Sequence, residues 1–262
     1  MALQFNNGSN NKIVGQMYLD GLEYEYTIYL MPIQNTPVEA EVVSFFGNRK
    51  QDGKNCLGVN TATIKKYIKN DNPQVSAFII VNQKDEKETA SGTIQIYNWC
   101  NRDPVDNDTL VDSQIWINDV CRIINPFKGK LSVSPIKAFF TLIEQFAVQK
   151  LGKSEIYLMV KKEKPKTVIS KGIRKVIDKT NKLIEIYNSY GFIENNTNCK
   201  EPIGIQDKNS IVANYETMKK DNIVANTSIV DLTSVVISGG GKRRKTRKVI
   251  KRRRKSKKSR RY

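Results

Sequence analysis

Residues 186–192 read Ile-Tyr-Asn-Ser-Tyr-Gly-Phe, and this short stretch decides how the rest of the chain is interpreted. Gly191 predicts the end of a helix, because glycine readily adopts the left-handed backbone conformation that closes many helices. Upstream of it, apolar side chains recur at helical spacing and predict a helix with one apolar face: Ile173, Val176, Ile177, Leu183, Ile184, Tyr187 and Tyr190. Phe192 and Ile193 then predict the start of an extended segment.

A second helix is specified more fully by the sequence, at residues 135–151. Ser134 is a natural N-cap, and Pro135 suits the first helical position because its missing amide hydrogen would have no partner there. The apolar stripe of this helix consists of Ile136, Phe139, Phe140, Ile143, Phe146 and Ala147. Strands are predicted on either side of the helix, at residues 113–123 and 155–160.

Further elements are predicted in the first hundred residues. An Asp-Gly pair flanked by alternating apolar side chains predicts a β-hairpin over residues 12–31. Residues 75–82 and 92–99 predict two more strands, and residues 61–69 predict a helix. Strands and helices in this order predict a mixed α/β fold, in which helices pack on the faces of one sheet.

The positive charge of the chain is concentrated in its last residues. Residues 242–262 contain fifteen Lys or Arg and no acid, so they supply +15 of the formal net charge of +18 and leave +3 for residues 1–241. Mutual repulsion and the scarcity of apolar groups predict that this tail is disordered when free. We expect it to bind nucleic acid or another polyanion without reading its sequence, because Tyr262 is its only aromatic residue. The cations expected to contact nucleic acid are Lys242, Arg243, Arg244, Lys245, Arg247, Lys248, Lys251, Arg252, Arg253 and Arg254. A nuclear-import signal and an anionic membrane surface are the alternatives.

The composition excludes several classes of function. The chain contains no histidine, which rules out a Ser-His-Asp triad and any His-ligated metal site, and no metal site is predicted. The sequence has no apolar run of about eighteen residues, so no transmembrane segment is predicted. The first residues lack the features of a secretory signal. Four widely spaced cysteines are therefore predicted to be reduced thiols of an intracellular protein, either cytoplasmic or nuclear: Cys56, Cys100, Cys121 and Cys199.

The stretch from Val75 to Asn195 resembles the GNAT superfamily of N-acetyltransferases. Tyr187, Gly191 and Phe192 are similar to the Tyr-x-x-x-Gly-Phe signature that follows the fifth strand of that family. The preceding order of strand, helix, strand and helix is similar as well. The resemblance implies a mixed, mostly antiparallel central sheet with helices on both faces. The Asn-, Lys- and Ile-rich composition and the basic C-terminus look like those of proteins from large DNA viruses, which implies a possible association with virions.

The resemblance also implies an activity, the transfer of an acetyl group from acetyl-CoA to an amine whose identity is unknown. In the family the fourth and fifth strands splay apart, and acetyl-CoA lies between them. The backbone of the strand at 113–123 is implied to bind it, at Val120 and Arg122. Tyr187 is implied to protonate the departing thiolate, although its place on an apolar stripe equally fits an ordinary core tyrosine. Asp119 and Glu155 are candidate bases that would act through water.

The loop before the helix at 135–151 departs from the family pattern. Lys128, Gly129 and Lys130 are similar to the Arg-Gly-Lys of the family's phosphate loop and are implied to bind the pyrophosphate, although an exposed turn is the alternative. Leu131 stands where the family has a second glycine, and Pro135 removes one amide that could face a phosphate. Either the loop binds acetyl-CoA in a modified manner, or the protein is a catalytically inactive scaffold that binds nucleic acid non-specifically.

These observations divide the chain into four predicted parts. Residues 1–39 form an N-terminal hairpin that is expected to join the main sheet. Residues 40–198 form the GNAT-like domain, residues 199–241 a linker or appendage, and residues 242–262 the disordered polybasic tail.

Overall fold

The computed structural model describes residues 11–48, 50–51, 54–55, 61–69, 75–84, 89–97, 114–123, 135–170, 173–195 and 215–232. The strands in chain order are β1 (Lys12–Leu19), β2 (Leu22–Leu30), β3 (Lys50–Gln51), β4 (Lys54–Asn55), β5 (Ala77–Gln83), β6 (Thr89–Tyr97), β7 (Gln114–Ile123), β8 (Ile156–Lys161), β9 (Lys166–Ser170), β10 (Ile173–Ile177), β11 (Ile193–Glu194) and β12 (Tyr215–Lys220). The helices are α1 (Pro37–Asn48), α2 (Thr61–Ile68), α3 (Pro135–Leu151) and α4 (Lys179–Ser189). Within these ranges, no helix is long and apolar enough to cross a membrane.

One sheet of eight strands dominates the fold. Its strand order is β1-β2-β5-β6-β7-β8-β12-β11, and two short hairpins, β3–β4 and β9–β10, lie outside it. Every neighbouring pair is antiparallel except β7 and β8, which are parallel. The predicted mixed, mostly antiparallel sheet is therefore confirmed.

The predicted N-terminal hairpin forms one edge of this sheet. β1 and β2 pair along their whole length, and β2 continues into the sheet by pairing with β5. The two residues of the turn both have positive φ, 52° for Asp20 and 77° for Gly21. This is the backbone of a two-residue hairpin turn of the type that Asp-Gly favours.

Helices pack on both faces of the sheet, as predicted. On β5, Ala77, Ile79 and Val81 face a large core that includes the buried side of α3, whereas Phe78 and Ile80 face a second core with α1 and α2. This alternation follows from the two-residue period of a strand, and it explains why residues 77–81 of β5 are all apolar. α1 was not predicted from the sequence.

The predicted helix at residues 135–151 is confirmed as α3. Pro135 is its first residue, and its apolar stripe is buried in the large core, except for the partly buried Ile136. Gly152, with φ 63°, follows its last residue. The amides of Gly152 and Lys153 donate to the carbonyl oxygens of Val148 and Ala147, and these bonds close the helix.

The helix predicted over residues 173–190 begins later than expected. Residues 173–177 form β10, which pairs with β9, and α4 starts only at Lys179. Asp178 is the N-cap, since its side chain accepts a hydrogen bond from the amide of Asn181 at 3.1 Å. The prediction was wrong because Ile173, Val176 and Ile177 fit a helical period, although β-branched residues favour a strand.

Part of the stretch predicted as a linker or appendage completes the sheet. β12 lies between β8 and β11, and the residues after it return across the main core, where Ile223, Val230 and Leu232 are buried. Residues 215–232 are therefore part of the globular fold, which corrects the interpretation of 199–241 for this portion. The prediction missed this because β12 alternates only weakly between apolar and polar residues.

Two glutamines of α3 hold the segment that follows β12. Gln145 donates to the carbonyl oxygen of Val224 at 3.1 Å and accepts from the amide of Asn226. Gln149 donates to the carbonyl oxygen of Val230 and accepts from the amide of Leu232, both at 2.8 Å. The donor and the acceptor of each side-chain amide both have partners, which the buried Gln145 in particular requires.

Candidate functional site

The two parallel strands in the middle of the sheet stop pairing after two residue pairs, and the region beyond the last pair is called the cleft here. β7 pairs with β6 over its whole length, but it pairs with β8 only at Trp116–Tyr157 and Ile117–Leu158. The rings of Trp116 and Tyr157 stack at 5.0 Å on one face of this short paired region. Beyond Ile117 the described part of β7 is not paired with β8. A strand edge that a neighbouring strand has left can hydrogen-bond to an extended ligand.

A bulge in β7 marks the point where the cleft begins. Thr93 of β6 lies opposite Asp119, but the next residue, Ile94, lies opposite Ile117, so Asn118 is the extra residue. A bulge bends a strand and re-aims the side chains that follow it. The sequence predicted this strand but gave no sign of the bulge.

Gly92 on β6 is required because the backbone of the bulge and a side chain of α3 both approach it closely. A Cβ atom at this position would lie 2.1 Å from the carbonyl oxygen of Asp119 and 2.5 Å from Cζ of Phe139. Both neighbours are held by the sheet and by α3, so neither can withdraw cheaply. Glycine therefore lets α3 and the bulge of β7 pack against the same point of β6.

Asp119 is a carboxylate with an unusually high proton affinity. Burial raises its pKa from 3.8 to about 6, and the hydrogen bond that Thr93 Oγ1 donates to its Oδ2 at 3.4 Å opposes this rise. A buried charged group is disfavoured because it has lost solvation by water. A base with a pKa near neutrality can both accept and release a proton under physiological conditions, which is the property of a general base.

Tyr187 projects from α4 into the large core near this carboxylate. Its ring contacts Phe140 at 6.0 Å and Phe192 at 6.3 Å between ring centroids. Burial raises the pKa of Tyr187, and the negative charge of Asp119 raises it further, so the phenol stays protonated at neutral pH. Tyr187 therefore packs against the core with a protonated phenol, and its role as a proton donor stays a prediction.

The Gly-Phe part of the motif fixes the end of α4. The amides of Tyr190 and Phe192 both donate to the carbonyl oxygen of Tyr187, at 3.0 and 3.1 Å, and Gly191 has φ 87°. Lys220 of β12 donates to the carbonyl oxygen of Tyr190 at 2.9 Å and to Glu144 of α3 at 2.7 Å. The C-terminus of α4, and with it Tyr187, is thus tied to both α3 and the sheet.

Tyr67 of α2 also lies within electrostatic range of Asp119, and the sequence did not single it out. Burial raises its pKa, and the charge of Asp119 raises it further. Tyr67 packs against the second core and Tyr187 against the first. Asp119 therefore interacts electrostatically with one tyrosine from each face of the sheet. In the sequence Tyr67 is one apolar position of a short helix, and only the structure relates it to Asp119.

The other predicted site residues are placed as follows. Val120 and Arg122 lie on β7 beyond Ile117, where their backbones pair with Gly92 and Ala90 of β6. Lys128, Gly129 and Lys130 lie outside the described residues, and so do the ten cations predicted in the tail.

Glu155, the second candidate base, does not reach the cleft. It precedes β8, on the side of the paired region away from the cleft, and its carboxylate accepts a hydrogen bond from Tyr157 Oη at 2.6 Å. The structure therefore separates the two candidate bases and leaves Asp119 at the cleft.

Cys121 of β7 is not a reduced thiol. It is 4% exposed and takes part in a disulfide bond. The prediction of reduced cysteines is therefore wrong for Cys121, and this residue offers no nucleophilic thiolate. Within the described residues, no group of three or more cysteine or acidic side chains is arranged to hold a metal ion.

Comparison with known proteins gives distant structural similarities. No family model matches the chain, and no curated protein matches it. An acetyltransferase of the GNAT family from Listeria monocytogenes is 11% identical, with 79% of this chain and 99% of that chain covered and a TM-score of 0.37. A chimera of spermidine N-acetyltransferase from Vibrio cholerae and hSSAT is 12% identical over 75% of this chain and 95% of that chain, with a TM-score of 0.36. A dodecameric spermidine N-acetyltransferase from Vibrio cholerae is 14% identical over 75% and 94%, with a TM-score of 0.34. At these identities and TM-scores the similarities assign no activity to this chain.

Proposed function

We propose that this protein is an acetyl-CoA-dependent N-acetyltransferase. The observation that carries the proposal is the position of Asp119 at the start of the β7–β8 cleft, with Tyr187 close enough for the carboxylate to raise the pKa of its phenol. A base with a pKa near neutrality and a protonated phenol are the two proton-transfer groups that amide formation from a thioester needs. Histidine is not required.

The residues of the cleft fit an extended thioester ligand. β7 continues beyond its last pair with β8, and we assign the backbone of this part, at Val120 and Arg122, to the binding of the ligand. In the sequence, Lys128 and Lys130 stand between the end of β7 and the start of α3, and we assign them to the phosphates of the same ligand. When bound, acetyl-CoA supplies an acetyl group that is activated for transfer.

The chain's own residues then move two protons. Asp119 accepts a proton from the acceptor amine at a carboxylate oxygen, directly or through water, which frees the nitrogen lone pair for attack. Backbone amides of β7 stabilise the negative charge that develops on the carbonyl oxygen. Tyr187 donates its Oη proton to the departing sulfur and is reprotonated from solvent.

Calorimetry with acetyl-CoA tests the binding step directly. We expect saturable binding by the full chain, and no binding at millimolar ligand would sink the enzymatic proposal. Coenzyme A that lacks the acetyl group should bind as well, because the proposed contacts are with the backbone and the phosphates. Acetate alone should not bind.

Turnover tests the two proton-transfer roles. Release of free thiol from acetyl-CoA in the presence of a panel of primary amines should fall about 10²- to 10⁴-fold in Asp119→Asn and in Tyr187→Phe. The matched control is Tyr190→Phe, because Tyr190 packs on the same ring of Phe140 at 4.9 Å. Equal losses in Tyr187→Phe and Tyr190→Phe would show that Tyr187 is only a core residue.

A second candidate function is a non-catalytic scaffold, which the phosphate loop favours. Pro135 is the first residue of α3, so one amide is missing from the helix start that would face a phosphate. Leu131 also stands where a glycine would let the backbone approach the phosphates. If the wild-type chain fails to bind acetyl-CoA and Leu131→Gly restores binding, the scaffold is the correct description.

In either case we propose that the tail, residues 242–262, tethers the body of the protein, residues 1–241, to a polyanion. The support is its charge of +15 against +3 for residues 1–241. Nucleic acid is the partner that this composition favours, since a run of cations binds phosphates without reading bases.

A further inference from the structure

The β9–β10 hairpin leaves the sheet at the end of β8 and returns to α4. Its base is fixed to the first turn of α4, where Thr180 Oγ1 accepts from the amide of Glu163 at 2.7 Å. Every side chain of the two strands that the structure describes is exposed: Lys166, Thr167, Arg174, Val176 and Ile177. These include residues from both faces of the hairpin, because Val176 pairs with Thr167 and Ile177 with Lys166. A two-stranded ribbon exposed on both faces is only marginally stable alone in water, so a binding partner would stabilise it.

The segment that contains the hairpin is strongly cationic. Residues 161–177 contain seven Lys or Arg and one Glu, and 7 − 1 gives a formal charge of +6. Lys161, Lys164, Lys166 and Arg174 are all exposed. This local charge exceeds the +3 that the sequence gives to residues 1–241 as a whole, so the remainder of the body is net negative. A partner for this surface must be anionic.

The same surface exposes aliphatic side chains. Val176 is 62% exposed and Ile177 is 36% exposed. The hairpin contains no aromatic residue between Lys166 and Ile177. Single-stranded nucleic acids are bound through aromatic rings on which bases stack, and the sequence of the hairpin has no such rings. Aliphatic groups among cations instead match the boundary between lipid headgroups and acyl chains.

We propose that the β9–β10 hairpin docks the protein onto an anionic membrane surface. The cations contact the headgroups, and Val176, which shares a face of β10 with Arg174, enters the interface. The chain then lies on the membrane and does not span it. Because β7 and β8 are parallel, their C-terminal ends lie at the same end of the sheet. The hairpin follows β8, so it lies at the end towards which the cleft opens. Docking would bring that opening close to the bilayer. This inference does not depend on the proposed acetyl transfer.

Tryptophan fluorescence with brominated lipids tests the docking in the full chain. Val176→Trp places a reporter on the hairpin, and Val224→Trp is the matched control because Val224 is 72% exposed and lies outside the hairpin. Both variants keep the tail, so binding through the tail is the same in each. With vesicles of brominated phosphatidylcholine and phosphatidylglycerol, we expect quenching of the tryptophan at 176 above the signal of the unsubstituted chain. We expect no such quenching at 224.

Flotation with the same vesicles measures the contributions of charge and of apolar contact. Each cation near an anionic surface is worth about 1 kcal/mol, so Arg174→Gln should lower the partition coefficient about fivefold. Val176→Ser should lower it severalfold and should reduce insertion without changing the dependence on salt. Circular dichroism confirms that each variant is folded, which we expect because the substituted side chains are exposed.

Three results would overturn the proposal. The first is equal quenching at 176 and 224, and the second is an unchanged partition coefficient in both Arg174→Gln and Val176→Ser. The third is a change in the fluorescence at 176 with duplex or single-stranded DNA and none with vesicles, which would assign the surface to nucleic acid.

Discussion

Burial gives Asp119 an energetic cost that depends on pH. Its pKa of about 6 in the folded protein lies above the ordinary value of 3.8, so at intermediate pH the folded state holds a proton that the unfolded chain has lost. The contribution of this group to stability is therefore most favourable below pH 3.8 and declines as the pH rises to 6. At neutral pH the ionised, partly buried carboxylate destabilises the fold.

Asp119→Asn should accordingly stabilise the protein while it lowers turnover. The amide is neutral, has the same shape, and can still accept the hydrogen bond from Thr93. We expect a gain on the order of 2 kcal/mol in the free energy of unfolding at pH 7. The gain should shrink towards zero near pH 4. Urea denaturation of both proteins at the two pH values measures it, and a loss of stability at pH 7 would contradict the assigned pKa.

Gly92→Ala tests the close approach of three elements at the bulge. The added methyl group would collide with the backbone of Asp119 and the ring of Phe139, which we expect to cost about 3 kcal/mol. Gly152→Ala is the control, since no atom lies within 4 Å of the added Cβ. It should cost only the ~1 kcal/mol of a left-handed backbone. Similar denaturation midpoints for the two variants would be inconsistent with the packing described.

At the scale of elements, the role of Gln149 in holding the segment after β12 can be tested, because its side chain both donates and accepts a hydrogen bond. Gln149→Met removes both the donor to Val230 and the acceptor for Leu232, whereas Gln149→Glu keeps an acceptor. Amide hydrogen exchange should show loss of protection at Leu232 in the Met variant and retained protection in the Glu variant. We expect the Met variant to lose about 1–3 kcal/mol of stability. Identical exchange in the two variants would mean that the segment is held by burial alone.

The elements that the sequence predicted well are those whose signal is local. The hairpin over β1 and β2 and helix α3 carry their own turn, cap and periodicity, and both are confirmed. Strand β10 was predicted to be helical because Val176 and Ile177 fit a helical period. That period was taken to mark a buried face, but both side chains are exposed in the structure. β12 was missed because its place in the sheet depends on β8, more than fifty residues earlier in the chain.

The residues of the candidate site also divide into those with a local sequence signal and those that only the packing of the fold relates to one another. Tyr187, Gly191 and Phe192 are neighbours in the chain, so one motif identified them. Asp119 was one of two candidate bases, and only the register of β7 separated it from Glu155. The relation of Tyr67 to Asp119 depends on how α2 packs on the sheet, and no sequence spacing encodes that packing.

At the scale of the whole molecule, the separation of charge predicts how the protein binds nucleic acid. If about ten cations of the tail contact phosphates, the logarithm of the affinity for duplex DNA should fall with the logarithm of salt concentration with a slope of about −9. Truncation after Gly241 should remove this binding, since only +3 remains. Filter binding over a range of salt concentrations measures both effects. A truncated chain that binds duplex DNA as tightly as the full chain would refute the tether.

The position of β12 between β8 and β11 has a consequence for how the protein is made. A ribosome finishes β8 at Lys161, but the strand that covers its edge is complete only at Lys220, and at 5–20 residues per second this takes about 3–12 s. During that interval a nascent chain presents an open, apolar strand edge. Newly made molecules should therefore depend on chaperones at this stage, and crowded polysomes are where misassembly between neighbouring chains would begin.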